Sequence, residues 1–231
     1  MSDYQDFIRT EVPERFDELV AAAVPFVGAE TEACSELAIA LGESKFCGQP
    51  DLPPDFDWPM SSDGPCHFVG QLNLATLSSF ETMRRLPEHG LLSFFYHDPG
   101  GTPAGADSIV LYFDDPQTLV RTPVVTDTRW GERFHQDHQF SRRFLFSQCY
   151  AIDTDDFKHD DARELVDHFN DTFADSHHQF FGIPRYSWEN VGSRMILGSF
   201  GDWSDRLIFS LPESDLDLLD FNHLEVDYHC T

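Results

Sequence analysis

Lysine is nearly missing from this chain. Lys45 and Lys158 are the two among 231 residues, against 41 acidic side chains and a formal net charge of −26. Phosphate backbones are held mainly by Lys and Arg. A chain of this charge repels nucleic acid and anionic membrane unless a basic patch compensates. The densest basic spots are the pairs Arg84-Arg85 and Arg142-Arg143, too small for that purpose. Long apolar runs are absent too. No stretch of about 18 such residues occurs, so no membrane-spanning helix is expected. The start, Met1-Ser2-Asp3-Tyr4-Gln5-Asp6, has neither the basic nor the apolar region of a signal peptide. Five scattered cysteines (Cys34, Cys47, Cys66, Cys149, Cys230) form no Cys-x-x-Cys pair. That disfavours zinc sites built from paired cysteines and suits reduced thiols in a cytoplasmic protein. No Gly-x-x-x-x-Gly-Lys, Gly-x-Gly-x-x-Gly or Gly-x-Ser-x-Gly element occurs, so nucleotide-loop and nucleophile-elbow signatures are lacking.

Phenylalanine is abundant, with 22 residues spread through the chain. Disordered acidic chains lack aromatics, so this one is expected to fold with its charge on the surface. At this length about 70% of the unfolded surface can be buried without disulfide staples. One domain over residues 1–231 is expected.

Pro13, Glu14 and the spacing of Phe16, Leu19, Val20 and Ala23 predict a helix over 13–24. Cys34, Leu37, Ala38 and Leu41 fit a helix, while Leu37, Ile39 and Leu41 alternate like a strand. A Pro-rich stretch from Gly48 to Pro59 is held extended by its X-Pro steps. Strands are expected at 67–74, 91–96, 109–113, 119–126 and 144–152, each bounded by Gly, Pro or Asp. Ser78 to Leu86 reads as a short connecting helix. Leu165, Phe169 and Phe173 predict a helix over 160–174, capped by Asp160 or Asp161. Phe180-Phe181-Gly182-Ile183-Pro184 reads as a turn. Strands follow at 195–200, 207–211 and 225–229. The fold class is therefore α+β, compact, with mainly antiparallel strands and few helices. Phe46-Cys47-Gly48-Gln49-Pro50 is echoed by Phe180-Phe181-Gly182-Ile183-Pro184, with similar strands after each. The echo suggests an internal duplication of two helix-plus-strands half-units, roughly 1–115 and 155–231.

Ser44-Lys45-Phe46-Cys47-Gly48-Gln49-Pro50-Asp51-Leu52-Pro53, ending in Trp58-Pro59, resembles the opening motif of the YwqG-like family. Phe68-Val69-Gly70-Gln71-Leu72-Asn73-Leu74 and Gly90-Leu91-Leu92-Ser93-Phe94-Phe95 resemble its next two strands. His178 with Gly182 and Pro184 fits a His-x-x-x-Gly-x-Pro element. Gly201-Asp202-Trp203, Leu207-Ile208-Phe209 and the tail from Asp215 fit its closing region. The resemblance covers about residues 40–231. Cys47 departs from it, standing where a second glycine is usual, and so does Gly198-Ser199-Phe200, where a glutamine-bearing strand is usual. The resemblance implies a compact α+β body with an internal repeat. It implies an immunity or interaction role as one option, and no particular reaction.

Several residues invite chemistry. His135-x-x-His138 is the nearest thing to a metal pair, but two imidazoles fall short of a catalytic zinc set, and no metal is expected. His178 can serve as acid, base or ligand in a cleft, or satisfy turn amides and carbonyls from within the core. Gln71, inside an apolar strand, must be fully hydrogen-bonded; it pins a loop or reads a ligand. Trp58, and Asp202 with Trp203, are polar-aromatic candidates that either stack on a ligand or cap the core. Cys66 and His67 are adjacent in a strand and point to opposite faces, which argues against a catalytic pair. The carboxylates of Asp153, Asp155, Asp156, Asp160 and Asp161 lack the glycine and closing Glu of a calcium loop.

The expectation is thus a cytoplasmic, non-enzymatic binding or immunity-type protein with no cofactor and no catalytic residues. Its partner is a protein, basic if surface charge decides. The alternative is an enzyme or small-ligand receptor, with Trp58, Gln71, His178, Asp202 and Trp203 lining a cleft between the half-units. Abundant Asp with two Lys also suits a chain kept folded in high salt.

Overall fold

A computed structural model describes residues 3–62, 64–97, 107–125, 140–157, 162–183, 194–201 and 205–230. The strands in chain order are β1 (Val24–Ala33), β2 (Lys45–Phe46), β3 (Asp51–Leu52), β4 (His67–Asn73), β5 (Leu91–His97) and β6 (Asp107–Phe113). They continue with β7 (Val120–Arg121), β8 (Arg142–Ala151), β9 (His178–Gly182), β10 (Arg194–Gly201), β11 (Asp205–Pro212) and β12 (Glu225–Cys230). Five α-helices are described: α1 (Asp3–Glu11), α2 (Phe16–Ala22), α3 (Leu74–Leu77), α4 (Arg163–Phe173) and α5 (Glu213–Leu216). None is long and apolar enough to cross a membrane. The class is mixed α+β with mostly antiparallel strands.

Ten of the described strands make one sheet, in the order β12-β11-β10-β9-β1-β8-β2-β4-β5-β6, and β3 and β7 form a separate ribbon. The centre is the antiparallel pair β1 and β8, in register from Val24↔Ala151 to Ala33↔Arg142. A four-stranded arm extends from each side of it. The end strands β6 and β12 have Cα atoms within 8 Å of each other, so the sheet curls on itself. Its enclosed face carries the main core, drawn from both arms. The Phe94 ring on β5 lies 4.9 Å from Phe200 on β10 and 5.3 Å from Phe209 on β11. Fully burying one such ring contributes about 2 kcal/mol. This is where much of the phenylalanine goes.

The two arms share local devices. Cys47 and Phe181 both adopt a left-handed backbone, with φ of 59° and 58°, and each precedes a glycine. The register of β4 shifts between Phe68 and Gly70, and that of β10 between Ile196 and Gly198. The bulged residues, Val69 and Leu197, both enter the core. At Gly70 a Cβ would sit 2.9 Å from the backbone oxygen of Lys45, so β2 and β4 approach this closely because that position has no side chain.

A second core lies between the helices and β8. Ile8 of α1, Leu19 of α2, Ile152, and Val166 and Phe169 of α4 pack there. The Asn170 side chain accepts from Ile152 N (2.9 Å) and donates to Ile152 O (2.8 Å), docking α4 on the end of β8.

Several local expectations change: the strand expected over 119–126 is reduced to Val120–Arg121, and the helix expected from Ser78 to Leu86 is a 3-10 turn, Glu81–Arg85. Residues Val24–Ala33, which follow the helix expected over 13–24 and where no strand is expected, are the central strand β1. The Phe180-Phe181 segment is strand β9 rather than a turn. The segment after Cys34 is neither helix nor strand. It makes one 3-10 turn, Glu36–Ala38, capped by the Ser35 side chain, which accepts from Leu37 N, and Leu37 is 97% exposed. The N-cap of α4 is Ala162, without a side-chain cap bond. Asp160, Asp161, His135 and His138 lie outside the described residues.

Candidate functional site

Four charged side chains converge at the base of the β4–β6 arm. Lys45 on β2 and Asp51 on β3 are wholly buried, while Glu36 and Arg121 are partly so. Lys45 Nζ lies 2.9 Å from Glu36 Oε1 and 3.5 Å from Asp51 Oδ1. Arg121 Nε donates to Asp51 Oδ1 at 2.5 Å, and its Nη1 pairs with Glu36. Two cations thus face two anions, and the cluster is formally neutral. Gln71 Nε2 donates to Asp51 Oδ2 (2.7 Å) and to Glu43 O (2.8 Å), and its Oε1 accepts from Asp51 N (3.0 Å). Ser141 Oγ and Gln49 N donate to Glu36.

Burial pushes the Asp51 carboxyl up. The Lys45 ammonium, Arg121, Gln71 and the Gly42 N–H outweigh it and hold the group below the ordinary carboxylate range. Glu36 is lowered in the same way: burial raises it, and Ser141, Lys45 and Gln49 bring it down further. Burial depresses Lys45, with Asp51 and Glu36 opposing the effect. These are the directions expected of a buried, paired set.

The cluster grips backbone as well as charge. Arg121 donates to the carbonyls of Glu36 (3.0 Å), Ile39 (3.1 Å) and Ala40 (3.3 Å). Asp51 Oδ2 accepts from Gly42 N at 2.7 Å, and Asn73 Nδ2 donates to Gly42 O at 2.6 Å. The turn at 40–43 is therefore tied from two sides. Gly42, with φ +73°, packs so closely that an added Cβ would lie 2.8 Å from Pro116 Cβ.

Above this turn a cleft of about 570 Å³ opens to solvent. Leu41, Ala75 and Pro116 give it an apolar lining; His89, Asp114 and Asp115 give it a polar one. Its volume is in the usual range for ligand pockets. His89 Nε2 is 3.1 Å from Asp114 Oδ1, which also accepts from Tyr112 Oη at 3.2 Å. Asp115 Oδ1 accepts from Gln117 N at 2.9 Å.

The structure places three of the sequence-derived candidates in three different surroundings. Gln71 is in the charged cluster. Trp58 caps a side cluster: its Nε1 donates to Cys66 O (2.8 Å), and its ring stands edge-on to Phe95, 5.7 Å away. His178 is buried in the main core, 4.7 Å from the Phe46 ring and 5.1 Å from Phe144, and its Nδ1 accepts from Gly201 N at 3.4 Å. Asp202 and Trp203 lie outside the described residues. Burial raises the Cys47 thiol well above its ordinary value, which keeps it protonated and a poor nucleophile. Among the described residues, no three His, Cys, Asp or Glu side chains cluster closely enough to hold a metal ion. Lys45, Asp51, Glu36 and Arg121 were not singled out from sequence. The one available signal was a lysine of a pair so rare, standing inside the opening motif.

Fold and site together define a mostly antiparallel α+β protein whose charged cluster ties a surface turn beside an open cleft. The chain belongs to the family described as a domain of unknown function, DUF1963, whose model matches residues 44–230, from the residue before Lys45 almost to the end. No curated protein matches the chain.

Proposed function

We propose that this chain is a non-enzymatic binding protein of the YwqG-like kind, a single cytoplasmic domain that engages another protein in an immunity-type or related interaction. The supporting observation is how its charged groups are used. Lys45, Glu36, Asp51, Arg121 and Gln71 are engaged with one another and with the backbone of the 36–52 segment. Groups arranged this way hold a surface in shape rather than meet a substrate. The net charge of −26 favours a basic partner through long-range attraction. We infer further that the two arms are repeats of one half-unit, given the matched left-handed residues and bulges.

The alternative reading, an enzyme or receptor using Trp58, Gln71, His178, Asp202 and Trp203 in a cleft between half-units, has less support. Trp58 is engaged with Cys66, Gln71 with Asp51, and His178 with Gly201. Purification of the tagged chain from its native host, followed by size-exclusion chromatography, tests the binding reading. A stoichiometric complex with one protein is the expected result. Repeated recovery as a lone monomer contradicts it.

A further inference from the structure

We propose that the cleft between the 40–43 turn and Asp114–Gln117 receives an arginine or lysine side chain from a basic segment of a partner protein. This rests on the binding-protein reading above and names the chemistry of the contact. Four observations carry it. First, the lining pairs an apolar surface (Leu41, Ala75, Pro116) with two carboxylates and contains neither Lys nor Arg. Long basic side chains have the complementary make-up, an apolar stem ending in a charged head.

Second, the carboxylates are oriented and still have capacity. Both contacts to Asp114 fall on Oδ1, and the contact to Asp115 also falls on Oδ1. Each Oδ2 is left for an incoming donor, and an ionised donor gives the stronger hydrogen bond. Third, Leu41 is 46% exposed, a large apolar side chain held at the cleft edge. Its turn is fixed from beneath through Gly42 N to Asp51 and Gly42 O to Asn73. A wall built in advance lowers the ordering cost of binding. Fourth, the charge of −26 steers cations toward the molecule and anions away.

The test titrates acetyl-Arg-Leu-Arg-amide into the full chain at low ionic strength, by calorimetry. Three proteins are compared: the unaltered chain, D114N/D115N, and D171N/D175N. Asn keeps the Oδ1 acceptors, so the cleft variant changes charge and little else. Asp171 and Asp175, in and just after α4, are exposed and remote from the cleft; their variant removes the same charge. The expected result is binding weakened about fivefold or more in D114N/D115N, as for the loss of two exposed ion pairs. The D171N/D175N variant should bind within about twofold of the unaltered chain. Absence of peptide binding, an unweakened cleft variant, or equal weakening in the remote variant each overturns the proposal. Purification from the native host separates the two levels of failure. A partner recovered equally well by D114N/D115N overturns the cleft and leaves the binding reading standing. A lone monomer from the unaltered chain brings down the binding reading itself.

Discussion

Lys45 shows how little a residue's type reveals about its role until its neighbours are known. An ammonium with no surface in water is costly unless paired, and here Glu36 and Asp51 pair it. Removing one member of such a set leaves the rest buried and unbalanced. Lys45→Met should therefore lower stability by about 3 kcal/mol in urea denaturation; a change within about 0.5 kcal/mol, the range of ordinary surface substitutions, would mean that the cluster contributes nothing. The same set makes the chain acid-sensitive. Asp51 and Glu36 have folded-state pKa values below their ordinary 3.8 and 4.5. Their stabilisation is complete above those values and is lost as pH falls through the lowered ones. The urea midpoint should fall between pH 5 and pH 3, and fall less steeply in K45M, where the carboxyls have lost one cation. Equal slopes would contradict the pairing. Gln71 was the member legible in sequence, because an amide in an apolar strand has to be satisfied by something. The other members of the cluster were not legible, since Glu36, Asp51, Arg121 and Ser141 meet only through the fold.

At the scale of elements, apolar runs bounded by turn residues marked β4, β5, β6 and β8 well. β1 escaped for a physical reason. Its sequence, Val-Pro-Phe-Val-Gly-Ala-Glu-Thr-Glu-Ala, contains a proline and a glycine and turns acidic halfway, so no period of two emerges. Gly28 is there because a side chain would meet Cys149 Sγ at 2.5 Å. β9 escaped because Gly182 and Pro184 look like turn formers in sequence, although Gly182 ends a strand. Helix α4 was legible from Leu165, Phe169 and Phe173, yet its attachment depends on polar Asn170. That side chain satisfies both backbone groups of the buried Ile152. Asn170→Leu leaves that N–H and C=O without partners and should cost about 2 to 3 kcal/mol. The far-UV spectrum should stay near native while the urea midpoint drops. An unchanged midpoint would show that α4 docks by apolar packing alone.

For the molecule as a whole, composition indicated the sign of the surface and the pattern of elements indicated the α+β class, which the described strands and helices bear out. The charge of −26 also opposes compaction through self-repulsion. Screening shortens from about 10 Å at 0.1 M salt to about 3 Å at 1 M. The melting temperature should accordingly rise as KCl increases over that range, and a flat or falling curve would remove the high-salt reading. The proposed role depends on buried charges holding the surface of the 36–52 segment in shape. Amide hydrogen exchange in Arg121→Met tests it most directly, because Arg121 ties Glu36, Ile39, Ala40 and Asp51 at once. Faster exchange is expected at Gly42, Gln49 and Asp51, whose amides bond to cluster side chains. The amides of β10 and β11 should exchange as before. Unchanged protection at Gly42, Gln49 and Asp51 would contradict the claim.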